Sequence, residues 1–197
     1  MFICYNTSMN IYIGADHAGY NLKEHLIPYI KSLGYTVVDC GAFELKKDDD
    51  YPVFISKVAR FVSHFPNKRK GIVIGGSGLG EMMMANRFKH VRATVFYGGA
   101  IAHGEVDLNG RTSADPMEIV KLSRLHNDSN VLSLGARFIS EDEAKEAIKI
   151  WLETAFENEH RHNRRIRLIE KLSPRGQGLR LFIFFLLLSI IIGMMVK

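Results

Sequence analysis

The chain has little of what builds cross-linked or metal-stapled scaffolds. Among 197 residues there are two cysteines, Cys4 and Cys40, one tryptophan and five prolines. The cysteines lack metal-ligand spacing, which excludes a disulfide framework and a cysteine-rich zinc site and points to a reducing cytosol. The first residues contain no basic stretch followed by a long apolar run, so no cleaved secretory leader is expected. Met9 directly precedes the first strand signal and reads as an alternative start, leaving Met1–Ser8 as an N-terminal lead. No glycine loop continues into Gly-Lys-Ser/Thr, which excludes a P-loop. No internal repeat is evident.

What is present is ordinary for one globular domain: 47% hydrophobic and 24% charged residues, at a length that supports a full core. The net charge of +5 is unevenly placed, with seven Lys/Arg against three Glu between Glu157 and Arg180. Such a segment suits a phosphate ligand, an anionic membrane surface or nucleic acid. No nucleic-acid motif or interleaved aromatic platform accompanies it, so nucleic acid is not expected as a partner. Residues 9–172 read as the functional domain and 173–180 (SPRGQG and its flank) as a linker. Residues 181–197 form an apolar tail, interrupted between Leu181 and Val196 only by Ser189 and Gly193. Sixteen helical residues span about 24 Å against a hydrocarbon core of about 30 Å, short for a crossing unless Arg180 and Lys197 snorkel. Three readings stay open for residues 181–196: a membrane anchor, a helix buried in an oligomer, or a segment not in the mature protein. The expected location is cytoplasmic, with tail anchoring as the alternative.

Strand and helix signals alternate. Strands are expected at Asn10–Ile13, Tyr35–Asp39, Ile72–Ile74, Arg92–Tyr97 and Val131–Leu134. Leu22, Leu26, Ile30 and Leu33 share a helix face that ends at Gly34, with a kink expected at Pro28. Phe54, Val58, Phe61, Val62 and Phe65 mark a second helix from near Pro52. Asp115-Pro116 reads as N-cap and first helical residue of another, running to about Leu125. Ser140 with Glu143 is a capping box for a helix whose face is Ala144, Ala147, Ile148, Trp151 and Leu152. A basic helix runs from about Glu159 to Leu172. This is an α/β pattern: a Rossmann-like three-layer αβα sandwich around a five-stranded parallel sheet, plus the C-terminal basic helix and the apolar tail. Ligands are expected at the carboxyl ends of the strands.

The chemistry concentrates at Ile72–Arg87, IVIGGSGLGEMMMANR. A buried strand breaks into Gly75, Gly76, Ser77, Gly78, Leu79 and Gly80, then resumes as a helix with Glu81 in its first turn. Small residues let backbone N–H groups approach an anion. A carboxylate beside such a site is repelled by the anion unless it has other work, and proton transfer is the candidate. Asp16 and His17 follow the first strand, His126-Asn127-Asp128 precedes the fifth, and Arg137 follows it. These polar groups are read as converging at the sheet's ligand-binding edge. The dinucleotide fingerprint does not fit, because Asp16 and His17 occupy the turn a pyrophosphate needs. Asp48–Asp50 reads as a solvated acidic loop, so no metal site is expected, and Met82–Met84 as partly core-facing.

Taken together, Gly14-Ala15-Asp16-His17-Ala18-Gly19, Asp50-Tyr51-Pro52, Gly76-Ser77-Gly78-Leu79-Gly80, Ala85-Asn86, His126-Asn127-Asp128-Ser129-Asn130-Val131-Leu132 and Gly135-Ala136-Arg137 resemble the ribose-5-phosphate isomerase B family, which includes the galactose-6-phosphate isomerase subunits. The motifs occur in order from about Met9 to Leu172. The resemblance implies an aldose–ketose isomerase without cofactor or metal, acting on a small sugar phosphate. It also implies a homodimer or tetramer with active sites at subunit interfaces. Many members carry a cysteine base where this chain has Gly75; a second branch pairs glycine there with a glutamate after the loop, matching Glu81.

Carried over on that resemblance, Glu81 shuttles the proton between C2 and C1. The amides of Gly76, Gly78, Leu79 and Gly80, with Ser77, hold the enediolate oxygen. His126 opens the furanose ring, and Asp16 and Asn127 bind hydroxyls. His17, Arg137, Arg161 and Arg165 bind the phosphate. The implied reaction is interconversion of D-ribose 5-phosphate and D-ribulose 5-phosphate. The alternatives are another phosphorylated sugar, such as a hexose 6-phosphate or tetrose phosphate, or a non-catalytic sugar-phosphate binder. Two segments depart from the family pattern: the apolar tail, and a glycine-rich stretch from Gly98 to Asp115, read as a lid or an oligomer contact.

Overall fold

A computed structural model describes residues 9–173. The elements are β1 (Asn10–Ala15), α1 (Tyr20–Ser32), β2 (Thr36–Asp39), α2 (Tyr51–His64), β3 (Arg69–Gly75), α3 (Leu79–Ala85), β4 (Ala93–Phe96), α4 (Glu118–Leu125), β5 (Val131–Gly135), α5 (Glu141–Glu153) and α6 (His160–Leu172). The described chain divides into two compact units, one ending at Glu157 and one beginning at Asn158.

In the first unit all five strands are parallel, in the order β2-β1-β3-β5-β4. Side chains alternate across the sheet, so each strand feeds two cores. Ile11, Ile13, Ile72, Ile74, Leu132 and Leu134 pack with Leu26 and Ile30 of α1 and with Ala144, Ala147, Ile148 and Trp151 of α5. Tyr12, Val73 and Val131 point to the other face, against Ile55, Val58, Ala59 and Val62 of α2. From β1 the chain steps outward to β2 and then crosses to β3, so the order reverses at the β1/β3 boundary. That reversal opens the ligand crevice of an open parallel sheet.

Local chemistry accounts for most boundaries and for the departures from expectation. Ser140 and Glu143 form the capping box, with Glu143 N–H donating to Ser140 Oγ at 3.2 Å and Ser140 N–H to Glu143 Oε2 at 2.8 Å. Helix α1 runs through Pro28 as one thirteen-residue element. Helix α4 begins at Glu118, not at Pro116. The Asp115 carboxylate accepts the Met117 N–H at 2.8 Å, making a tight turn before the helix instead of capping its first residue. Phe61 and Phe65 lie outside the buried face of α2; Phe61 stacks on Tyr12 with ring centroids 4.6 Å apart.

The stretch between β4 and α4 is clasped on itself. Arg111 reaches Glu118 at 2.7 Å and Asp107 at 3.1 Å, and Ser113 Oγ donates to Glu118 at 2.9 Å.

The second unit's described part is α6 and its lead. Asn158 takes a left-handed backbone, φ 57°, and Asn163 Nδ2 donates to its carbonyl at 2.9 Å. Arg161 and Arg165 are one turn apart on this helix, and Arg161 Nε bonds Glu159 at 2.7 Å. Among the described residues no helix is long and apolar enough to cross a membrane. The lead 1–8, most of the linker and the apolar tail lie outside the described residues.

Candidate functional site

The glycine loop lies across the end of β5, and its geometry dictates the glycines. Gly78 has φ 74°, and a Cβ there would stand 3.0 Å from the Leu134 backbone. Three of the loop's carbonyls bond to β5 or the residues just after it. Gly75 O accepts from Ala136 N at 2.9 Å, Gly76 O from Arg137 N at 3.0 Å, and Gly78 O from the buried Ser133 hydroxyl at 2.6 Å. In a planar trans peptide the next residue's N–H points the opposite way. The N–H groups of Gly76, Ser77 and Leu79 therefore face away from β5, in one direction, and Leu79 N–H lies 3.3 Å from Ser77 Oγ.

Glu81 sits in the first turn of α3 at 4% exposure. Its carboxylate occupies the space a side chain at position 75 would fill: a Cβ on Gly75 would meet Glu81 Oε1 at 2.0 Å. Burial raises the Glu81 carboxyl above its ordinary value, its own backbone N–H opposes that rise, and the Asp16 charge adds to it. A carboxylate held in this way is a stronger base than an exposed one, which favours taking a proton from carbon.

Asp16 and His17 stand at the β1 end of the same crevice. Asp16 Oδ1 accepts the N–H of Ala18 at 2.9 Å and of Gly19 at 3.1 Å, shaping the turn into α1. Gly19 admits no side chain, because a Cβ would lie 2.6 Å from Ile74 O. Asp49 grips His17 twice, taking its backbone N–H at 3.0 Å and its ring Nδ1 at 2.7 Å, with the Asp49 side chain 8% exposed. The bond to Nδ1 fixes the ring and leaves Nε2 as the atom directed elsewhere. Asp49 is thus a half-buried positioning residue, while Asp48 and Asp50 on either side of it are exposed as a solvated acidic loop requires. Asp16, His17 and Asp49 bring ligand-type atoms within 4.8 Å of one another. Two of those atoms are bonded to each other and the Asp16 carboxylate is committed to amides, which suits a fixed hydrogen-bond network better than a cation cage. Tyr51 closes one wall: a Cβ on Gly80 would be 3.0 Å from its ring. The Arg137 guanidinium leans over the loop, 3.2 Å from where a Cβ on Gly76 would be.

His126 and Asn127 are elsewhere. They follow α4, and the segment they open runs into the amino-terminal ends of the strands: Asn130 O accepts from Gly71 N at 2.9 Å, and Asn130 N–H reaches Arg92 O at 3.1 Å. His126 Nε2 lies 3.7 Å from Glu157, and Arg92 Nε donates to Asn127 O at 3.0 Å. Strands of this length separate the two rims by about 15 Å. The structure therefore gathers Asp16, His17, Ser77, Glu81 and Arg137 at the carboxyl rim and leaves His126 and Asn127 at the amino rim. The expectation that all these polar loops converge on one edge of one sheet is corrected.

Asp49, Tyr51 and Ser133 were not among the sequence candidates. Ser133 had a signal, a lone hydroxyl in the apolar run VLSLG; Asp49 had none that separated it from Asp48 and Asp50.

The family described as Ribose/Galactose Isomerase matches residues 11–110 and 113–169. A ribose-5-phosphate isomerase B of Mycobacterium leprae is 32% identical over 172 residues, 87% of this chain and 94% of the relative. Its counterpart from Escherichia coli is 32% identical over 165 residues, 84% of this chain and 97% of the relative. Among solved structures, ribose-5-phosphate isomerase B of Mycoplasma genitalium with bound ribulose-5-phosphate superposes with a TM-score of 0.73 at 32% identity, covering 85% of this chain and 97% of that one.

Proposed function

From the premise that the chain belongs to the ribose/galactose isomerase family, we propose that it interconverts D-ribose 5-phosphate and D-ribulose 5-phosphate through an enediolate, with Glu81 as the base. One observation carries the reading: the Glu81 carboxylate fills the side-chain space of Gly75, beside the loop whose N–H groups face one way. Glu81 takes the proton from C2 and returns it to C1, while the hydroxyl proton on O2 passes to O1. The Gly76–Gly80 amides and the Ser77 hydroxyl stabilise the oxygen on which negative charge grows. The substrate is at once oxidised at one carbon and reduced at its neighbour, so the proton relay is self-balanced and needs no cofactor. Asp16 binds a sugar hydroxyl, while His17, held by Asp49, and Arg137 meet the phosphate.

Ring opening by His126, with Asn127 on a hydroxyl, needs groups from the opposite rim. A closed homodimer that pairs the carboxyl rim of one copy with the amino rim of the next completes the set, and Arg161 and Arg165 are assigned to the phosphate in that assembly. A purely binding protein gains nothing from a carboxylate buried beside Asp16, which disfavours the non-catalytic reading.

A substrate panel tests the proposal. The expected kcat/KM is highest for ribose 5-phosphate among pentose, hexose and tetrose phosphates. A preference of about tenfold or more for a hexose 6-phosphate would reassign the substrate.

A further inference from the structure

At the amino rim β3 carries a lysine where a buried parallel strand ordinarily has an apolar residue. Lys70 is 7% exposed, with its ammonium 5.0 Å from the ring centroid of Trp151 in the core. Among the described residues no carboxylate pairs with it. Asp128 gives one oxygen to Arg124 and the other to Arg92, each at 2.7 Å. The Arg124 guanidinium lies 5.9 Å from the same Trp151 ring, a second cation against that ring. Burial pulls Lys70 down to about 7, the Arg124 charge pulls the same way, and Asp128 opposes them.

A cavity of about 220 Å³ lies here, lined by Met9, Arg69, Lys70, Arg124, Asp128 and Phe156. The cations it receives are Lys70 and Arg124, since the Arg69 guanidinium is turned to Phe61 O and the Phe65 ring on the other face of the sheet, and its one carboxylate, Asp128, is already shared between two arginines. The volume falls below the ~300 Å³ at which sites for drug-sized ligands begin, so the ligand that fits has few atoms. None of the residues assigned to the isomerase chemistry lines it.

We propose that this cavity binds a small tetrahedral oxyanion of the phosphate type, held between the Lys70 ammonium and the Arg124 guanidinium. The charged groups facing Lys70 are Arg124 from α4 and Asp128 from the α4–β5 segment; α5 presents the uncharged Trp151, and the Arg69 guanidinium lies on the other face of the sheet, donating to Phe61 O at 3.1 Å. An anion in this setting favours the protonated lysine, so binding takes up a proton near pH 7.

The protein's single tryptophan is the reporter. Inorganic phosphate titrated into the full chain should change Trp151 emission saturably, and Lys70→Met should weaken that response about tenfold or more. Isomerase turnover should be unchanged in Lys70→Met, so failure of this site is separable from failure of the isomerase reading. Phosphate bound only in the catalytic crevice would leave Lys70→Met responding like the unaltered protein, and that result overturns the proposal. So does the lack of any saturable change. Should Lys70→Met not fold, sulfate, whose charge is constant over this range, decides in the unaltered protein. Its affinity must fall as pH rises through 7, and a pH-independent affinity refutes the site.

Discussion

The two rims of one sheet each hold a buried charge beside a charge of its own sign. At the carboxyl rim Glu81 faces Asp16, and at the amino rim Lys70 faces Arg124. Burial moves both toward neutrality from opposite directions, Glu81 upward and Lys70 downward. The surroundings separate them. Glu81 sits in space vacated by a missing side chain, against a loop whose amides share a direction. Lys70 sits against an aromatic ring at a cavity that Arg124 also lines. The first environment suits a group that gives and takes a proton; the second suits one that holds an anion. Equal burial of opposite charges thus leads to different work, and the neighbours decide which.

The comparison can be broken at several points. Removing the carboxylate with Glu81→Gln keeps shape and burial but ends proton transfer. A fall in kcat of about 10²–10⁴-fold with KM nearly constant is expected from steady-state kinetics. Mixing inactive Glu81→Gln with inactive His126→Ala under conditions that exchange subunits should restore about a quarter of full activity, because hybrid dimers regain one intact site. No recovery would place both residues' work within one copy.

Gly75→Ala drives a methyl into the Glu81 carboxylate, 2.0 Å from Oε1. It should destabilise the fold by about 1–3 kcal/mol in denaturant melts and displace the base, with the stability loss relieved when Glu81→Ala is added.

The smallest effect is the most diagnostic of the contrast. Glu81, raised in the fold, binds its proton more tightly in the native than in the unfolded chain. Its contribution to stability is therefore lost as pH rises above 4.5 through the raised value. Lys70, lowered from 10.5 to about 7, binds its proton more weakly in the native chain, so stability recovers as pH rises between those values. Against the unaltered protein, the melting-temperature advantage of Glu81→Gln should grow with pH and that of Lys70→Met should shrink. Parallel trends would show that the two burials are not of opposite kind.

Much of this was legible in the sequence. Apolar runs of strand length alternating with helical periodicity dictate a parallel sheet, and Ser140 with Glu143 marks a helix start that the hydrogen bonds reproduce. The pairing of Gly75 with Glu81 was legible only through the family resemblance; the structure adds that the carboxylate fills the space of a side chain at position 75. What was not legible depends on three-dimensional choice. Any of Asp48, Asp49 and Asp50 could meet His17 on sequence grounds; the path of the β2–α2 loop selects Asp49. Asp115 has the chemistry of a helix cap and spends it on a turn instead. The misplacement of His126 was avoidable. In a βα alternation, segments after strands emerge at the carboxyl rim and segments after helices return to the amino rim, and His126 follows α4.

The most direct test of the central claim is deuterium incorporation during turnover of ribose 5-phosphate in heavy water, followed by NMR of the ribulose 5-phosphate formed. If Glu81 carries the proton through an enediolate, deuterium appears at C1 of the product through exchange on the base, and Glu81→Gln loses exchange and isomerisation together. Deuterium incorporation or product formation at an undiminished rate by Glu81→Gln would contradict the account.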